Sequence, residues 1–379
     1  MQLKLDTNKV YAIALEGGGA KGGYEIGVWK ALNEVGIRYE AVSGTSVGAL
    51  NGAMMAMRDY DKAVEAWNGI RMSSIVSVSE AEESELKKMF SGAMPLGDLP
   101  EYLPRLLDLV KSGGLDIAPM RAWMRAVIEP EKIRKSDVNL YVTTVSLGER
   151  KGLEIKVNDL ETDEQIYDML LASAYHPAFK NEPLSDGKQY LDGGAFDSFP
   201  LHALVENGYK DLIGVRLPGG LGIERAFRIP DDVHVTIIKP NIDLGGALDF
   251  DAERARYHMQ VGYFDTKRVL YGLYGRKYYI ERTLSDRNAL DWLLDRYERD
   301  GKLDPLRPLI ENELPAVARR LGLREGDYYE LMLAVLEEEA EQRGVDPFVI
   351  RTDRDFMRAI ADVELARRKA EKDAVAVQA

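Results

Sequence analysis

The sequence predicts an α/β protein, with a mostly parallel sheet in its first two thirds and a helical C-terminal region. Three observations carry this. Short apolar runs bounded by glycine alternate with segments of helical spacing through about residue 240, the pattern of strand–helix–strand crossovers. From residue 251 on, the spacing is helical almost without break. The composition, 45% hydrophobic and 30% charged over 379 residues, suits a folded chain with one large domain and an extension, or two domains.

Val10–Leu15 is an apolar run that ends near glycines and reads as a buried strand. Residues 24–35 follow with Ile26, Trp29, Leu32 and Val35 at helical spacing, and Gly36 as the stop. Residues 39–42 read as a second strand and 47–57 as an apolar, buried helix. The alternation lapses over 58–118, where 82–90 and 100–111 look helical around a Gly/Pro-rich stretch. This region reads as an insertion, either a lid or an ordinary helical excursion. Strands return at 139–146 and 153–157, a helix at 161–173, a short strand at 189–191, a helix at 201–207, and strands at 212–217 and 233–238. Helices are predicted over 252–274, 288–299, 306–320, 327–341 and 353–372, with fraying over the last residues. A boundary near residue 245 divides the chain into 1–245 and 246–379, and no internal repeat is evident.

Composition removes whole classes of chemistry. With no cysteine there is no disulfide, thiolate nucleophile, iron–sulfur cluster or Cys-ligated zinc. Four scattered histidines, at 176, 202, 234 and 258, do not make a multi-histidine centre, so neither metal nor cofactor is expected. Fifty basic against 63 acidic residues give a net charge of −13, which disfavours nucleic acid and electrostatic adhesion to an anionic bilayer. The first apolar stretch is too short for a signal segment, and no window of 18 apolar residues exists, so a cytoplasmic protein is expected.

Three short motifs carry chemistry. Gly17, Gly18, Gly19 and Gly22, with Glu16 before them and Lys21 among them, lie between the first strand and helix. Such a loop presents backbone N–H groups, and the following helix N-terminus adds positive potential, making a pocket for a phosphate or a developing oxyanion. Gly17-x-Gly19-x-x-Gly22 also matches a dinucleotide fingerprint, with Glu40 as the ribose acid, although the extra glycine and Lys21 fit that reading poorly. Gly44-Thr45-Ser46-Val47-Gly48 is a G-x-S-x-G between strand and helix, the context of a nucleophile elbow that lifts the Ser46 hydroxyl clear of the sheet. Asp192-Gly193-Gly194 ends a short strand; a carboxylate held in such a turn can orient or deprotonate a neighbouring serine.

Taken together, in this order and on these elements, the three motifs resemble the patatin-like phospholipase family. The stretches GLDIAPMRAWM, LLASAYHPAF and YLDGGAFDSFPLHAL extend the likeness over about residues 9–240. The resemblance implies a three-layer α/β/α fold and a lipid acyl hydrolase working through a Ser46–Asp192 dyad and an acyl-enzyme. It implies oxyanion donors at Gly17, Gly18 and Gly19, supported by Lys21, Gly22, Gly44, Gly48, Gly193 and Gly194. Lys21 stands where arginine is common, and Glu16 where Asp or Ser is frequent. The implied partner is a phospholipid or other acyl ester, with peripheral membrane contact and no nucleic acid.

Other readings stay open on the sequence. A Ser–His–Asp triad would use His202 or His234, with His176 shaping the pocket, and Asp186 or Asp197 could replace Asp192 as base. A non-catalytic lipid-binding protein could use the same scaffold. Met54, Met55 and Met57 either line an acyl trough or pack the core. Tyr263, Phe264, Tyr271, Tyr274, Tyr278 and Tyr279, with Lys267, Arg268, Arg276 and Lys277, suit either a membrane interface or a packed helix.

Overall fold

In the computed structural model, which describes residues 2–79, 83, 113–219, 222–299, 308–324 and 326–378, the first half is strand–helix alternation as expected. In chain order it runs β1 (Val10–Leu15), α1 (Gly23–Glu34), β2 (Arg38–Thr45), α2 (Val47–Ala56) and α3 (Tyr60–Asn68). Next come α4 (Ala118–Val127), α5 (Pro130–Arg134), β3 (Asn139–Ser146), β4 (Lys151–Lys156) and α6 (Asp163–Ser173). They are followed by β5 (Tyr190–Asp192), α7 (Leu201–Glu206), β6 (Asp211–Val215) and β7 (His234–Ile238). The helices expected at 82–90 and 100–111 lie outside the described residues, except for residue 83.

The seven strands form one sheet in the order β4-β3-β2-β1-β6-β7, with β5 also on β3. β3, β2, β1, β6 and β7 are parallel, while β4 and β5 run antiparallel to β3. The strand order reverses at β1, whose neighbours β2 and β6 lead to opposite edges. The carboxyl ends of β1 and β2 therefore open at a topological switch point, where open α/β sheets place their sites.

Strand burial explains the layers. After exposed Val10, every residue of β1 is buried, as a parallel strand covered on both faces requires. Ala12, Ala14 and Ala41 pack with Phe199, Leu201, Ala203 and Leu204 at α7. The alternate residues Leu15 and Val42, with Leu140, lie beside Gly52 of α2 on the other face. Each large aliphatic side chain buried this way contributes about 1.5–3 kcal/mol. Met54 and Met55 are buried within α2, and Met57 follows at its end, so these methionines belong to the core.

The register of β3 sets the geometry of the site. Its Asn139–Thr143 stretch pairs with β2, ending with Thr143 opposite Thr45. The next residue, Thr144, pairs with Asp192, the last residue of β5. Since β4 occupies the other edge of β3 at Thr144–Ser146, β2 and β5 lie on the same edge and meet head to head. Ser46 and Asp192 thus sit at adjoining strand ends, from chain segments about 146 residues apart (46 to 192).

The chain divides into two compact units, Leu5–Thr266 and Met1–Lys4 with Lys267–Ala379, where the sequence reading placed a boundary near 245. Residues 246–266 join the first unit because α8 (Ala252–Tyr271) starts there and lies close to α1. A Cβ on Gly23 or Gly27 would overlap the α8 backbone, and one on Gly262 would overlap the Tyr24 carbonyl. The helix ends at Tyr271, short of the expected Tyr274, where Gly272 takes φ +64°.

The second unit holds β8 (Tyr279–Glu281), α9 (Asp286–Arg299), a π-helical turn (Leu309–Glu313), α10 (Leu314–Arg320), α11 (Tyr328–Arg343), β9 (Ile350–Thr352) and α12 (Asp353–Gln378). The parallel pair β8–β9 departs from the helical expectation, since three-residue strands leave no periodic signal. The helix α12 also runs on through residues expected to fray. Tyr278 and Tyr279 are buried, and Tyr278 packs in the unit's core, so this part of the aromatic stretch is not an exposed membrane-facing surface. Asp353, at the start of α12, is fully buried and accepts from the amides of Thr283 (2.7 Å) and Leu284 (2.8 Å) and from the Tyr329 hydroxyl (3.2 Å). Among the described residues, no helix is long and apolar enough to cross a membrane.

Candidate active site

Ser46 occupies the turn between β2 and α2 with φ 55° and ψ −122°, a backbone region that non-glycine residues rarely adopt. Its flanking glycines permit the turn by close approach. A Cβ on Gly44 would overlap the Gly48 carbonyl, and one on Gly48 would press on the Leu15 carbonyl. Ser46 is half-buried while its neighbours are buried, so it is the accessible residue of the elbow. The Ser46 carbonyl accepts from Ala49 (2.9 Å) and Leu50 (3.3 Å), and its amide donates to Ser173 Oγ at 3.0 Å.

The glycine loop leaves β1 beside this elbow. Glu16 is buried and accepts from Arg216 Nε (2.9 Å) and the Leu217 amide (2.6 Å), which ties the start of the loop to the end of β6. Lys21 is buried as well; its Nζ donates to the Pro218 carbonyl at 2.8 Å, and burial lowers its pKa against the pull of Asp243 and Glu16. Gly19 has φ +57°, and a Cβ there would overlap the Ala247 carbonyl.

One of the three expected donors already has an acceptor. The Gly17 amide points to the Ser198 carbonyl at 2.9 Å and is engaged there. The amides of Gly18 and Gly19 have no acceptor among the described residues. An anion at this loop would therefore meet Gly18 and Gly19, with the N-terminus of α2 adding positive potential.

Asp192 is buried, and its amide donates to the Tyr175 carbonyl at 3.0 Å. Its Oδ1 accepts from the Gly194 amide at 2.8 Å. Burial raises its pKa to about 6, opposed by the Ser46 side chain and the Gly194 amide. Gly193 fits because a Cβ there would overlap the Thr143 carbonyl. The segment after Asp192 also braces β2 and its elbow: Thr45 Oγ1 donates to the Asp197 carbonyl (2.8 Å), and Ser43 Oγ to the Pro200 carbonyl (2.7 Å).

Among the described residues, no rival side chain hydrogen-bonds to Ser46. His202 sits between Glu154 (Nδ1 to Oε1, 3.3 Å) and Glu206 (Nε2 to Oε1, 3.0 Å), with Arg225 at 3.0 Å from Nδ1. His234 is exposed at the start of β7, and His176 Nδ1 accepts from the Ala178 amide at 3.2 Å. Among the described residues, no histidine hydrogen-bonds to Ser46 or Asp192. Asp186 accepts from the Lys188 amide (2.9 Å) and the Tyr190 hydroxyl (2.7 Å) in its own turn. Asp197 is buried with its pKa raised to about 6 by burial, and its Oδ1 accepts from the Phe199 and Arg225 amides (3.2 and 3.3 Å). Glu40 lies inside β2, five residues before its end at Thr45, away from the strand terminus where a ribose-binding acid belongs.

Sequence reasoning missed Ser173, Thr45 and the carbonyls of Ser198 and Ala247. A lone hydroxyl at a helix end and backbone acceptors in loops leave no pattern of spacing. Their proximity to the motifs arises only from tertiary packing between distant parts of the chain.

The sequence profile of the family described as Patatin-like phospholipase matches residues 13–205. Among curated proteins, the chain is 42% identical over 209 residues to Lysophospholipase NTE1 of Kluyveromyces lactis, covering 55% of this chain and 13% of that protein. It is 36% identical over 90 residues to Patatin-like phospholipase domain-containing protein 7 of Rattus norvegicus, covering 23% and 7%. It is 53% identical over 49 residues to Lysophospholipase nte1 of Aspergillus terreus, covering 13% and 3%. The chain thus corresponds to a small part of each relative. Among solved structures it aligns with VipD from Legionella pneumophila over 97% of this chain and 88% of that one. The identity is 13% and the TM-score 0.38, too low for the likeness to bear on function.

Proposed function

Because the chain belongs to the patatin-like phospholipase family, we propose that it is a lipid acyl hydrolase in which Ser46 is the nucleophile and Asp192 the base. The observation that carries this reading is the head-to-head meeting of β2 and β5 on β3, which brings the strained Ser46 beside a buried carboxylate. A carboxylate with its pKa near 6 is a better base than one near 4 and is still largely ionised at neutral pH.

In this mechanism Ser46 Oγ attacks the ester carbonyl carbon as Asp192 takes the hydroxyl proton. The tetrahedral oxyanion receives hydrogen bonds from the Gly18 and Gly19 amides, which are already oriented by the loop. Removing one such donor costs about 3–4 kcal/mol in other acyl-transfer enzymes. Collapse breaks the ester C–O bond, and protonated Asp192 returns its proton to the leaving alkoxide. The acyl group is now on Ser46. A water molecule attacks it with Asp192 again as base, the carboxylic acid departs, and Ser46 regains its proton.

Phospholipid, lysophospholipid or other carboxylic esters are the proposed substrates. The lysophospholipase names of two relatives support this class. With a net charge of −13, approach to a lipid surface would depend on apolar contact more than on electrostatic attraction. A panel of lysophospholipids, diacyl phospholipids and short chromogenic esters tests the reading. Turnover of at least one, lost in Ser46→Ala, is expected; turnover retained in that variant refutes it.

A further inference from the structure

We infer that Ser173 is a positioning residue for the proposed hydrolysis, because the 172–175 segment grips the backbones of both Ser46 and Asp192 and so sets their separation. The inference rests on the reading of Ser46 and Asp192 as nucleophile and base.

A non-glycine residue at φ 55° and ψ −122° persists only where its surroundings over-determine it. The Ser46 carbonyl is held by the first turn of α2 through Ala49 and Leu50. Its amide is held by Ser173 Oγ at 3.0 Å, from a residue with no exposed surface. Two residues further on, the Tyr175 carbonyl accepts the Asp192 amide at 3.0 Å. One residue earlier, the Ala172 carbonyl lies 2.9 Å from Thr144 Oγ1, which is also 3.1 Å from the Leu191 carbonyl. Thr144 is the β3 residue that pairs with Asp192.

The end of α6 is therefore fixed on one side to the nucleophile and on the other to the strand that carries the base. Ser173 supplies the only side-chain link between that segment and Ser46 among the described residues. Without its hydroxyl the Ser46 amide loses its acceptor, and the elbow loses one of the two restraints on its peptide groups. The hydroxyl of Ser46 would then sample orientations away from Asp192, slowing attack more than it weakens ester binding.

The test compares the full-length wild type with Ser173→Ala, Ser173→Thr and Ser46→Ala on a chromogenic ester, with active sites counted by fluorophosphonate titration. Per titrated site, Ser173→Ala is expected to lose on the order of 10–100-fold in kcat with KM within about twofold. Ser173→Thr, which keeps the hydroxyl, should recover most of the loss. The acid limb of kcat/KM in Ser173→Ala should move to higher pH, since Asp192 is influenced by burial, Ser46 and the Gly194 amide, and Ser46 favours its ionised form.

Wild-type kcat per titrated site in Ser173→Ala overturns the inference. So does a loss that consists only of fewer titratable sites with an unmoved acid limb, or a threonine variant no better than alanine. If Ser46→Ala is inactive while Ser173→Ala is unaffected, Ser173 alone is refuted. If Ser46→Ala retains turnover, the dyad falls and the inference falls with it.

Discussion

The amide of Gly17 donates to the carbonyl of Ser198 at 2.9 Å, so the glycine loop is locked to the segment that follows Asp192. With Thr45 Oγ1 on the Asp197 carbonyl and Ser43 Oγ on the Pro200 carbonyl, one stretch of chain braces the glycine loop and the strand that leads to the elbow. The same bond takes Gly17 out of the set of free amides and leaves those of Gly18 and Gly19 as the proposed oxyanion donors. Rigid donors of this kind need no reorganisation when charge develops.

That assignment leads to a paired test at Gly18. A Cβ at Gly18 would press on the Leu217 side chain, so Gly18→Ala must displace either that side chain or the loop. We expect kcat to fall on the order of 10–100-fold, and Leu217→Ala added to it to restore part of the loss by making room. Ester kinetics on the two single variants and the double variant check this. Strict additivity would show that the loop does not move with Leu217.

Asp192→Asn is expected to lower kcat by about 10³-fold or more while the fold is retained, because the amide can still accept from Gly194 but cannot take a proton from Ser46. Kinetics and circular dichroism together separate lost chemistry from lost structure. An active Asp192→Asn variant would shift attention to Asp197, the other buried carboxylate on this segment.

The pH dependence follows from the raised pKa of Asp192. The base must be ionised, so kcat/KM should fall as pH drops through about 6 and level off above it. Folding stability has the opposite sense. The folded state holds this proton more tightly than the unfolded one, a stabilising contribution that is full below about pH 4 and lost as pH rises through about 6. Asp192→Asn should therefore gain on the order of 2–3 kcal/mol over wild type at pH 8 and almost nothing at pH 4. Denaturant unfolding at the two pH values measures the difference.

His202→Ala should retain activity within a few-fold, since its ring is committed to Glu154, Glu206 and Arg225. A loss of 10³-fold or more would restore the triad reading.

In the second unit, Asp353→Ala should destabilise by about 1–3 kcal/mol, because the part-buried amides of Thr283 and Leu284 and the buried Tyr329 hydroxyl lose their acceptor. Burial alone would raise the Asp353 pKa, but the hydrogen bonds from Thr283, Leu284 and Arg354 outweigh it and hold the pKa lowered. This contribution is present above pH 4 and lost as pH falls through the lowered value. Thermal unfolding of the variant against wild type measures it.

Much of the first unit was legible because its turns need particular residues. The glycines around Ser46 announce an elbow, since no other residue lets the chain pass so close to Leu15, and the buried β1 reads as an apolar run. What was not legible depended on pairing. A three-residue strand such as Tyr190–Asp192 has no periodicity, so nothing in the sequence said that β5 would meet β2 end to end. The β8–β9 pair stayed hidden for the same reason, and Tyr278 and Tyr279 looked amphipathic until strand β8 and the second unit's core buried them. Gly17 looked equivalent to Gly18 and Gly19 because backbone acceptors such as the Ser198 carbonyl carry no sequence mark.

The most direct measurement is fluorophosphonate labelling of the full-length protein, with the modified peptide mapped and ester turnover followed in the same samples. One modified residue, Ser46, is expected, with turnover falling in step with labelling and both absent from Ser46→Ala. A label on another residue, or turnover that survives full modification of Ser46, would contradict it.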